Sequence, residues 1–158
     1  MATATPVYGT PTAMTITLAS LASDTSLVAG RESTAVDQKD VLDAIDVLVG
    51  GKITTGTSPT ASRQIEVWAC ASYDDTEFSG SATGSDAPLT PDAKTNMRLL
   101  EVIPTDGTSN KAYKFGPISL LQAFGGLPVQ IGVYVVHNTG VNLNSTGSTH
   151  EIVYTTVK

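Results

Sequence analysis

Apolar and polar residues alternate along most of this chain with a period of two, the spacing of half-buried β-strands. Met14, Ile16 and Leu18 alternate with Thr15 and Thr17. A second run covers Ser26 to Asp37. A third extends from Leu42 to Thr55 and sets Ile45, Val47, Val49 and Ile53 on one face. Gly50-Gly51 interrupts it and predicts a bulge or bend. From Arg63 to Tyr73, Ile65, Val67, Ala69 and Ala71 oppose Glu66, Trp68, Cys70 and Ser72. Asn96 to Pro104, Lys111 to Pro117, Val129 to Asn138 and Glu151 to Val157 complete about eight strands. The turns TDGTSN and NTGVNLNSTGSTH separate them with Gly, Asn and Asp, which tolerate positive φ.

One helix is predicted. Ser119 stands three residues before Gln122, a capping-box spacing, and Gly125 offers a left-handed C-terminal position. A short helix near 119–125 follows, with Leu121 and Phe124 packing under the sheet. Asp40 to Leu48 is a second helix candidate, but its β-branched residues and Gly-Gly ending favour strand.

Many short strands without βαβ spacing predict an all-β fold, a two-sheet antiparallel sandwich that is jelly-roll-like, over residues 13–158. Residues 1–12, broken by Pro6 and Pro11, read as an extended N-terminal arm. Such an arm is either a disordered tail or a segment that orders against a partner. Residues 74–94 form the longest unpatterned stretch, acidic and rich in Gly, Ser and Pro, and a loop of this length is functional or mobile.

Composition agrees with the strand reading, because Thr and Val are abundant and charged residues reach only 15%. The 158 residues suit one domain with its own core. A net charge of −6 with scattered cations argues against nucleic acid and against an anionic membrane surface. No apolar stretch approaches the roughly 20 residues of a membrane span. The N-terminal residues lack a basic, apolar leader, so synthesis in a cytoplasm is expected. A lone cysteine, Cys70, cannot form an intrachain disulfide and reads as a buried, inert thiol.

The search for chemistry returns no catalytic set. His137 continues the face of Ile131, Val133 and Val135 and reads as a structural histidine ahead of a general base, and His150 reads as solvated. No serine sits in a nucleophile elbow. One Cys and two distant His do not make a zinc motif. Asp74, Asp75 and Glu77, with Asp86 and Asp92, form an acidic loop without a calcium-loop pattern. The Gly-Gly pairs lack the context of a phosphate loop. Neither an enzyme nor a cofactor is expected. Arg31 and Glu32 interrupt the apolar stretch AGRESTAV and, as adjacent strand residues, point to opposite faces. They are either exposed edge-strand residues or, for Arg31, half of an ion pair with another protein.

The stretches ASLASDTSLVAGRESTAVD, GKITTGTSPTASRQIEVW, YKFGPISLLQAFGG and VYVVHNTGVNLN resemble small proteins encoded among the head and structural genes of tailed bacteriophages. The resemblance covers residues 19 to 145, and it implies a non-enzymatic virion protein on the outer capsid surface. The role it implies is that of a capsid decoration (cement) protein, binding across junctions of the major capsid protein as a homo-oligomer, with a trimer favoured. Partner contacts are then expected from the arm, at Pro6, Tyr8 and Pro11. They are also expected from Arg31 and Glu32, and from Asp74, Asp75, Glu77 and Phe78 in the long loop. The alternatives are another virion component (tail, neck or head fibre) and a carbohydrate-binding β-sandwich module.

Overall fold

The computed structural model describes residues 5–37 and 44–158. Among the described residues ten strands run in chain order: β1 (Thr12–Ala13), β2 (Gly30–Glu32), β3 (Val36–Asp37), β4 (Asp46–Thr54), β5 (Arg63–Ser72), β6 (Ala87–Leu89), β7 (Arg98–Thr105), β8 (Ala112–Ser119), β9 (Gln130–His137) and β10 (Glu151–Val157). The single α-helix among the described residues is α1 (Leu120–Phe124). None of the described helices is long and apolar enough to cross a membrane.

Two antiparallel sheets face each other, as the alternation predicts. One has the order β1-β10-β4-β8 and the other β6-β2-β9-β5-β7, with β3 also pairing β9. Setting aside the short β3 and β6, β1 pairs β10, β2 pairs β9, β4 pairs β8 and β5 pairs β7. This nesting of first with last, wound inward, is the connectivity of a jelly roll.

The two sheets bury their inward rows against each other. Ile65, Val67, Ala69 and Ala71 of β5 lie in register with His137, Val135, Val133 and Ile131 of β9. Opposite them stand Val47, Val49 and Ile53 of β4, Tyr113 and Phe115 of β8, and Ile152 of β10. Each Val, Ile or Phe among them, fully removed from water, contributes about 1.5–3 kcal/mol.

The bulge predicted at Gly50-Gly51 is present, but its extra residue belongs to the partner strand. Val49 to Gly51 of β4 spans the register of Ile118 to Phe115 on β8. Gly116 absorbs the mismatch at φ 76°, where a Cβ would lie 2.5 Å from the Val49 carbonyl oxygen.

Several local expectations are corrected. The first run, Met14 to Leu18, is not strand; the strand is Thr12–Ala13 just before it, although Met14 and Leu18 still reach the core. Ile45 lies outside β4 and is exposed, so it does not share the face of Val47 and Val49. The start of the third run, at 42 and 43, lies outside the described residues. Helix α1 is capped as predicted, with Ser119 Oγ accepting from Gln122 N at 3.0 Å and Gly125 left-handed. Its buried residue, however, is Leu120; Leu121 faces solvent. Phe124, one turn after Leu120 and on the same face, packs against the core as predicted.

Candidate interaction surface

The outer faces of the two sheets differ. On the six-stranded sheet, the segment 74–97 folds back across the outward residues of β5 and β9. Cys70, Tyr134 and Val136 are buried beneath Ala82, Leu89 and Met97, with Trp68 and Phe78 packed alongside. The acidic loop is thus a lid, and a few polar hooks hold it. Glu32 is fully buried; it accepts from Thr83 N at 2.8 Å, Thr83 Oγ1 at 2.9 Å and Gly84 N at 3.2 Å. On the opposite side of β2, Arg31 Nε donates to Asp86 at 2.7 Å, and Asp86 also accepts from the Thr17 amide and hydroxyl. Lys94 Nζ reaches Glu66 at 2.7 Å and the Leu27 carbonyl at 2.8 Å, while lying 4.4 Å from the centre of the Trp68 ring. Glu66 in turn accepts from Trp68 Nε1 and Gln64 Nε2.

These hooks set the electrostatics of the lid. Burial pushes the Glu66 carboxyl up, but Lys94, Trp68 and Gln64 outweigh it and hold it below the usual range. Asp86 behaves alike: burial raises it, and the bonds from Arg31 and Thr17 bring it below the ordinary value. Asp74 is held at about 2 by the backbone N–H groups of Glu77 and Thr76.

The predicted contact residues are therefore scattered, and several are engaged inside this chain. Glu32 is a correction: its carboxylate is committed to Thr83 and Gly84 and has no surface from which to meet a partner. Arg31 is paired with Asp86 within the chain. Asp74 caps its own loop, Asp75 bonds Gln130, and Phe78 packs inward from the lid, while Asp74 and Glu77 are the two exposed acids of the group. In its described part the arm is ordered against its own chain. Val7 and Lys158 exchange backbone bonds of 2.8 Å, Gly9 N donates to Thr156 O, and Tyr8 bridges Val157, so the arm extends the edge of its own sheet beside β10. Pro6, Tyr8 and Pro11 remain exposed there.

The histidines and the cysteine are structural in their contacts. His137 is buried between Leu21 O at 3.0 Å and Thr139 Oγ1 at 2.9 Å, and burial pushes its pKa down. His150 is not merely solvated: it accepts from Thr54 N and bonds Asn144 O at 2.8 Å, tying the last turn to β4. Burial drives the Cys70 thiol up to about 12, far from a reactive thiolate. Among the described residues, no three of His, Cys, Asp and Glu converge in a metal-holding group.

Among the described residues, the four-stranded sheet carries no such lid. Its outer side forms an open trough of about 380 Å³ lined by Tyr8, Leu48, Gly50, Pro117, Val153 and Thr155. Beside it, Val7 and Tyr8 on one flank of Val157 and Ile45 on the other are more than 60% exposed. A readable signal for this face existed in the sequence. Val47-Leu48-Val49 and Ile152-Val153-Tyr154 are unbroken apolar runs, so those strands present apolar residues on both sides.

No family model, curated protein or solved structure matches this chain.

Proposed function

We propose that this protein is a non-enzymatic component of a tailed-phage virion, a decoration protein seated on the outer surface of the head across junctions of the major capsid protein. The observation that carries this reading is the exposed apolar edge of the four-stranded sheet, where the arm lays Val7 and Tyr8 beside Val157 and Ile45. A side chain as large as Tyr8 left in water on a paired, extended strand is poised for contact with another protein surface. The phage resemblance names the partner class, and jelly rolls build viral capsid and lectin domains alike, which is support at the level of fold only. A net charge of −6 disfavours nucleic acid as the partner.

Stabilisation of a shell by such a protein follows from mass action. Binding the assembled lattice and not its separated subunits favours the closed shell at every occupied site, and a homo-oligomer, with a trimer favoured, multiplies each contact. The test is mass spectrometry of purified virions of the encoding phage, followed by reconstruction of the particle. Density on the outer head surface is expected. Density confined to tails with bare heads moves the protein to another virion role, and absence from the particle overturns the reading. Within that experiment, deletion of residues 1–12 is expected to lower head occupancy; unchanged occupancy and shell stability would remove the arm from the interface.

A further inference from the structure

The outward side of the four-stranded sheet departs from the pattern of a solvated sheet. An antiparallel sheet packed on one side normally places polar residues on the other. Here the central outward positions are Leu48 and Gly50 on β4, Pro117 on β8 and Val153 on β10, and they line the open trough. Gly50 makes its floor out of backbone: a Cβ there would lie 3.1 Å from the Phe115 carbonyl oxygen. A partner side chain can therefore approach the sheet itself.

The next outward row is charged. Glu151, Lys52 and Lys114 stand side by side across β10, β4 and β8. Glu151 lies 3.6 Å from Lys52, while Lys114 is exposed and makes no ion pair among the described residues. Two lysines directly opposite each other repel, so this register costs the isolated protein a little stability. It also places positive charge at the margin of an apolar trough in a chain whose net charge is −6.

We propose that this face docks an acidic segment of another protein, with an apolar side chain seated in the trough and flanking carboxylates meeting Lys114 and Lys52. This rests on the virion reading above, which makes the assembled head the partner. A second copy fits less well. A two-fold axis across the strands would set each charged row against Thr155, Leu48 and Ser119 of the other copy, which offer no carboxylate, and an axis along the strands would bring Glu151 to Lys114 but set Lys52 against Lys52, two rows of net positive charge face to face. Asp46, beyond that row, already accepts from Leu121 N.

The experiment is co-sedimentation of the purified full-length chain with heads of the encoding phage assembled without it. Lys114→Glu and Val153→Asp are compared with Thr95→Lys, a charge change on the opposite, lidded side. Each of the first two is expected to weaken binding at least tenfold with an unchanged melting curve, and raising the salt is expected to weaken the wild type. Thr95→Lys is expected to bind as wild type. Binding by Lys114→Glu and Val153→Asp within twofold of wild type overturns this proposal alone. Failure of the wild type to bind heads overturns the virion reading and this proposal with it. Should sedimentation equilibrium show a wild-type dimer that Val153→Asp dissociates, the face is a self-interface and the acidic partner is wrong.

Discussion

The two outer faces of this sandwich solve the same problem in opposite ways. Both sheets present apolar residues away from the central core. On the six-stranded sheet a long irregular segment closes over Cys70, Tyr134 and Val136, held by Glu32, Asp86 and Lys94. On the four-stranded sheet the trough around Leu48, Gly50 and Val153 stays open. Buried ionic hooks are expensive to desolvate and tolerable only when fully bonded, so the lid is bound up with folding. Among the described residues, the open face holds no comparable network. What the first face covers with its own chain, the second leaves open among the described residues.

The comparison breaks most readily at Glu32. Glu32→Ala leaves the Thr83 and Gly84 amides without their acceptor and is expected to cost about 3 kcal/mol in chemical denaturation, with the lid losing amide-exchange protection first. A cost below about 0.5 kcal/mol would mean that the lid is not held by this hook. Lys94→Ala comes next. It removes the charge partner of Glu66 and the cation over Trp68, and about 2 kcal/mol is expected from a pair that is mostly, not wholly, buried.

Acid sharpens the contrast without mutation. Asp74, Asp86 and Glu66 all have folded pKa values below their ordinary ones. Their contribution is present above the unfolded carboxyl range and is lost as pH falls through the folded values. For Asp74 that window runs from the ordinary 3.8 down to about 2. Protection factors, taken against the intrinsic exchange rate at each pH, should therefore fall across 74–97 on acidification while those of β4 and β10 hold; simultaneous loss of both would show one cooperative unit. The smallest effect is expected on the open face. Lys114→Glu should change the melting free energy by no more than about 0.5 kcal/mol, and a larger loss would show that Lys114 serves the fold itself.

Legibility follows the same division. The open face could be read, because Val47-Leu48-Val49 and Ile152-Val153-Tyr154 break strict alternation, whereas the lid could not. Phe78, Ala82, Leu89 and Met97 have no common period, and their partners are contributed by β2, β5 and β9, so nothing local marks the segment as packed. The hooks were invisible for the same reason. Glu32 and Thr83, or Arg31 and Asp86, meet only because β2 and β6 are adjacent in the sheet.

By itself the sequence determined the all-β class, about eight main strands, the inward rows of β5 and β9, the Gly50-Gly51 irregularity and the capped helix after Ser119. Each depends on the chemistry of neighbouring residues: period, branching at Cβ, capping and glycine. Only the tertiary structure decided the jelly-roll order, the folding of 74–97 into a lid, the pairing of the arm with β10 and the burial of Glu32. Those outcomes depend on contacts between residues far apart in the chain, whose energies no local pattern records.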